Sequence, residues 1–134
     1  MTLTVITPPA GEAVSLSQAK QFLRIGHDGE DARVTELVAA ARARLEAVSG
    51  LALVTRSLRR TWWCWPQSLA GYGVRLTPGP VTNLLAVRVV SATGAVTDHT
   101  SRFRLVDGRV CHRGWGLLPT ISEGGHAEID FETG

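Results

Sequence analysis

Lysine is nearly missing from this sequence, with Lys20 alone against thirteen arginines. The cations still almost balance the carboxylates, leaving a net charge of +2, so a basic patch cannot be argued from the total. Cysteine is scarce too. Cys64 and Cys111 are the only two, which excludes a disulfide-stapled scaffold and leaves reduced thiols as the expectation. No apolar run reaches the roughly 18 residues of a membrane span. The opening MTLTVITPPA lacks the basic and long apolar regions of a signal peptide, so synthesis in the cytosol is expected. Internal repeats and low-complexity tracts are absent.

What remains is the composition of an ordinary globular chain, 44% apolar and 19% charged over 134 residues. That length suits one domain with a single core. The strongest periodic signal lies at Asp31 to Val48, where Val34, Leu37, Val38, Ala41, Leu45 and Val48 recur at i, i+3, i+4, i+7 and predict a helix with a core stripe. At about 100° per residue, Ala39, Ala40, Ala43 and Ala47 gather on the opposite side, with Arg33, Arg42, Arg44 and Glu46 on the flanks. Such a smooth face suits a neighbouring helix or a second copy, although alanine is also the best filler of a solvated face. Upstream, Ser15 and Gln18 form a capping box for a helix carrying Leu16, Ala19, Phe22 and Leu23 and ending near Arg24 to Gly26. The acidic linker His27 to Asp31 is too short for anything but a helical hairpin.

After Ser49-Gly50 the period changes to two. A strand is expected at Thr2 to Ile6, a long one at Leu53 to Trp65, then Val74 to Leu76, a turn at Thr77-Pro78-Gly79-Pro80, and Leu84 to Val90. Thr93-Gly94 marks a tight turn, and Asp107-Gly108 joins Phe103 to Val106 with Arg109 to His112 in a hairpin. In the last strand Ala127, Ile129 and Phe131 alternate with Glu128, Asp130 and Glu132, giving one buried and one acidic face. The expected fold is α+β, a helical layer over 1–50 packed on an antiparallel sheet or small sandwich over 51–134.

Catalytic constellations are hard to find. Cys111 and His112 are strand neighbours and point to opposite faces, and with Cys64, His126 and Asp130 they show no metal-ligand spacing. His27 and His99 fall in polar loops. Gly71-Tyr72-Gly73 and Gly114-Trp115-Gly116 lack the spacing and following helix of a phosphate loop and read as turns. The chain is therefore expected to be no enzyme and to hold no metal or cofactor. The unusual stretch is Thr61-Trp62-Trp63-Cys64-Trp65-Pro66 after Arg56, Arg59 and Arg60. Strand alternation assigns Trp62 and Cys64 to one face and Trp63 and Trp65 to the other, so one pair lines the core while Arg59, Trp63 and Trp65 face a partner. Nucleic-acid stacking on these residues is the less favoured alternative.

The order of these features resembles the head-tail connector, or adaptor, family of long-tailed phages and gene transfer agents. The resemblance runs through the capped helix Ser15 to Arg24, the acidic linker, Ala47-Val48-Ser49-Gly50, Thr61-Trp62 and the later Trp-Pro. It continues through Leu76-Thr77-Pro78-Gly79-Pro80-Val81, Val87-Arg88-Val89, and the strand from Ala127 to Gly134. It implies a structural protein of the head-tail junction, assembled in the host cytoplasm. Such a protein forms a ring of copies, twelve in the particle, beneath the portal protein and above the stopper or next neck protein. DNA passes through the lumen without specific binding. Members of that family continue into C-terminal helices beyond the last strand, and these are expected to be absent here. In such a ring the face of Ala39, Ala40, Ala43 and Ala47 with Arg42 and Arg44 would form the lateral subunit contact. A stopper-type neck protein is the alternative within the same assembly, and a small Arg/Trp nucleic-acid module the alternative outside it.

Overall fold

The computed structural model describes residues 1–114 and 117–134. Strand β1 (Thr2–Thr7) is followed by helices α1 (Leu16–Leu23) and α2 (Asp31–Ser49). Strands β2 (Arg56–Trp62), β3 (Val74–Arg75), β4 (Val81–Val90), β5 (Val96–Asp98), β6 (Phe103–Val106), β7 (Arg109–His112) and β8 (His126–Thr133) complete the chain. Short 3-10 turns occupy Gln67–Ala70 and Thr100–Arg102. The turn expected at Gly114-Trp115-Gly116 falls partly on Trp115 and Gly116, outside the described residues.

Five strands form one antiparallel sheet in the order β1-β2-β8-β4-β5, and three form a second in the order β3-β7-β6. β8 is central because its alternation leaves it apolar on one face and hydrogen-bonded on both sides. Ile129 opposes Arg60 and Val87, and Phe131 opposes Leu58 and Leu84. The small sheet covers this face, and Leu58, Trp62, Leu76, Val87, Phe103, Val110, Ile129 and Phe131 interdigitate between the two as a single core. The architecture is thus a helical hairpin joined to a small antiparallel sandwich, an α+β fold.

Local chemistry accounts for the element ends. Ser15 Oγ accepts the Gln18 N–H and Gln18 Oε1 accepts the Ser15 N–H, closing the expected capping box. Gly50 ends α2 in the left-handed region, donating its N–H to the Glu46 carbonyl. The β6–β7 turn places both Asp107 (φ 48°) and Gly108 (φ 71°) left-handed, as a two-residue hairpin requires. The Thr133 hydroxyl lies 2.8 Å from the carbonyls of both Pro78 and Pro80 and ties the Thr77 to Pro80 turn to the end of β8.

Two expectations need correction. The strand predicted over Leu53 to Trp65 runs only from Arg56 to Trp62, so alternation stops before Trp63. The core stripe predicted on α2 is buried only at Val34. Leu37, Leu45 and Val48 are exposed, Leu37 by 58%. The reason is length: α1 has 8 residues against 19 in α2 and shields only one end of the longer helix.

Candidate functional site

Glu46 joins the helical layer to the sandwich. It is buried on α2 and accepts hydrogen bonds from the Leu53 N–H at 2.8 Å and from Arg42 at 3.0 Å, and it pairs with Arg56 of β2. Burial pushes its carboxyl up. The bonds from Arg56 and Leu53, with the charges of Arg56 and Arg42, outweigh that and hold it below its ordinary value. Arg42 reaches back with two further nitrogens to Glu12 (2.5 and 3.1 Å), whose carboxyl the bond lowers. At the other end of the hairpin Lys20 grips Asp28 at 2.7 Å and Asp31 at 2.6 Å. The linker acids thus serve the helix–helix joint as well as the start of α2.

Between the helices lies an apolar groove of about 610 Å³, walled by Val14, Ala19, Phe22, Leu37, Val38, Ala41 and Leu45. Phe22 stands 88% exposed on its rim. An isolated chain leaves this apolar surface against water at a cost of roughly 25 cal/mol per Å². On the remaining side of α2, Ala40, Ala43 and Ala47 are exposed and Ala39 half-buried. Arg44 is exposed beside them, whereas Arg42 is committed to Glu12 and Glu46.

The acidic face of β8 is met by arginines of its own sheet. Arg59 of β2 makes a two-pronged pair with Asp130 (2.7 and 2.9 Å) and lies 3.2 Å from Glu128. Arg88 of β4 bonds Asp130 from the opposite side. His126 contacts Glu128 at 3.3 Å, and Trp63 sits edge-on to the His126 ring with centroids 5.4 Å apart. Arg59 and Trp63 therefore share the outer face of the large sheet, with Trp63 60% exposed.

Trp65 does not join them, which corrects the expectation that Trp63 and Trp65 share a face. Past the end of β2 the chain turns and sends Trp65 inward. It stacks on Phe103, meets Trp62 edge-on at 6.1 Å, and donates its indole N–H to the Pro119 carbonyl at 2.6 Å. Cys64 is exposed instead of paired with Trp62 in the core. Arg60 points into the body, where burial lowers its guanidinium pKa and it donates to the Thr77 carbonyl. Two features escaped the sequence, the buried linkage at Glu46 and the uncovered groove. The first had one signal, a carboxylate four residues after Arg42; the second had only the mismatch in helix length.

Among the described residues no group of three or more His, Cys, Asp or Glu side chains is placed to hold a metal ion. No described helix is long and apolar enough to cross a membrane. The surfaces can bind other molecules by apolar burial and ion pairing.

No family model and no curated protein matches the sequence. Solved structures do. A chain from the neck of an empty gene transfer agent particle, computed with C6 symmetry, superposes over all of this chain and 71% of its own length, with a TM-score of 0.85 and 30% identity. A chain from the virion of a native gene transfer agent particle matches with a TM-score of 0.86 at 30% identity, covering all of this chain and 72% of that one. A third, from the neck of a native particle computed with C12 symmetry, gives 0.81 at 29% identity, again over the whole of this chain and 70% of its counterpart.

Proposed function

Because the chain belongs to the structural neck proteins of gene transfer agent particles, we propose that it is the head-tail adaptor of such a particle. In this reading copies of the chain form a ring, twelve in the particle, beneath the portal protein. The ring hands the DNA channel to the stopper or next neck protein. The role is structural and needs no catalysis. The observation that carries the proposal is the match to neck chains over the entire length of this sequence. The six- and twelve-fold symmetry of those necks supports a closed ring, and heterologous contacts close into rings when the rotation between copies permits.

The subunit surfaces fit that role. The sandwich supplies a rigid body, and the hairpin carries the apolar groove and the Ala39, Ala40, Ala43 and Ala47 face with Arg44. These form the lateral contact in this proposal, with Arg42 holding the hairpin in shape rather than reaching outward. On the sandwich, Trp63 and Arg59 of the large sheet's outer face are the candidate partner surface. Deleting the gene in a producing strain tests the reading by electron microscopy. The expected result is DNA-filled heads and tails that fail to join, restored by the gene in trans. Intact tailed particles from the deletion strain would contradict it.

A further inference from the structure

The arginines fall into two populations. Arg42, Arg56, Arg59 and Arg88, like Lys20, are each neutralised by carboxylates of this chain. The other nine make no ion pair among the described residues, and three of them lie together on the three-stranded sheet. Arg75 of β3 and Arg109 of β7 are register partners on adjacent strands, and Arg104 of β6 stands opposite Cys111 two pairs further along. Strand alternation aligns all three on one face, because Val74, Leu105 and Val110 point the other way into the core. Arg75 and Arg104 are exposed and Arg109 half-buried, and none enters an ion pair among the described residues.

Like charges directly across two strands are destabilising, so the Arg75–Arg109 pair is a local cost that the sandwich itself does not offset. We propose that this outer face of the three-stranded sheet is the surface by which the subunit touches the phosphate backbone of duplex DNA. The proposal rests on the neck reading above and deepens it by assigning the channel-facing side. Duplex DNA presents one negative charge per roughly 1.7 Å of axis, and three unpaired arginines, with Asp107 of the β6–β7 turn as the carboxylate that shares a concavity with Arg75, match that pattern. A protein surface interleaves both signs, as the outer face of this chain's own large sheet does with Arg59, Arg88, Glu128 and Asp130. Adjacent guanidinium forks also suit the bridging of a single phosphate. The contact carries no base readout, since it involves only backbone charge.

The test measures binding of a labelled random-sequence 30-base-pair duplex by fluorescence anisotropy, from low to physiological salt, with the full chain. Three contacts predict that log K falls against log salt with a slope near −2.7, about 0.9 per phosphate. The variant R75A/R104A/R109A should lose most of that slope and bind at least about tenfold more weakly at low salt, because exposed cations supply the non-specific term. Its Lys triple should retain both, which separates lost charge from lost fold. R24A/R33A, removing two arginines of the helical hairpin that also make no ion pair among the described residues, should bind as the parent does. Absence of duplex binding by the parent, or a loss in the hairpin double as large as that in the sheet triple, would overturn the proposal. So would a sheet triple that binds DNA normally but loses an acidic partner protein. A sheet triple that joins heads to tails and binds DNA as the parent does would leave the neck reading standing while this one failed.

Discussion

At Glu46 a helix residue that the sequence presents as a flank charge becomes the linkage between two layers. Its carboxylate is buried and satisfies Arg42, Arg56 and the Leu53 N–H together. Glu46→Ala leaves two part-buried guanidinium groups short of a partner, and the expected loss is about 2 to 3 kcal/mol in urea unfolding. The pH dependence has a definite sign. A carboxyl held below its ordinary value of 4.5 stabilises the fold above that pH and loses the contribution as pH falls through the folded value. Thermal melts should therefore show wild-type stability declining below about pH 4.5 more steeply than that of Glu46→Ala. Gly108 is a second exacting position, since at φ 71° an added Cβ is strained. Gly108→Ala should cost about 1 kcal/mol without altering the sheet pairing seen by amide exchange.

Elements were legible where a local rule fixed them. The capping box of Ser15 and Gln18, the stop at Gly50 and the Asp107-Gly108 turn all appear where their chemistry requires, and the alternation of β8 correctly separates Ile129 and Phe131 from Glu128 and Asp130. The failures came where the outcome depended on what lies opposite. The period of α2 revealed an apolar stripe but not whether anything covers Leu37 and Leu45, which α1 is too short to do. Likewise alternation could not be carried to Trp65 once β2 ended at Trp62. The candidate surface residues Arg42 and Arg59 were visible as charges, yet their commitment to Glu12, Glu46 and Asp130 depends on pairings 30 and 71 residues apart for Glu12 and Asp130. The element-scale prediction concerns α2. Ala43→Glu and Leu45→Asp replace exposed residues, so the monomer should melt within a few degrees of wild type, surface changes costing about 0.5 kcal/mol or less. Both should weaken ring assembly with the portal in sedimentation velocity. Unchanged assembly in both variants would remove α2 from the lateral contact.

At the scale of the whole molecule, a sandwich with a filled core carries a helical hairpin whose apolar side is left exposed among the described residues. The core side explains why the body is rigid: Phe131, Ile129 and Val110 are fully enclosed, and Phe131→Ala should cost about 3 to 5 kcal/mol. The uncovered side explains why the protein would work as a subunit, because burying that groove is a gain available only on assembly. The central claim is the adaptor role. Its most direct test is size-exclusion chromatography with light scattering on the full chain mixed with the portal protein from the same gene cluster. The account predicts a complex whose mass exceeds the portal ring by a closed set of adaptor copies, whatever the chain's state alone. Separate elution of portal and chain across the concentrations at which particles assemble would contradict it.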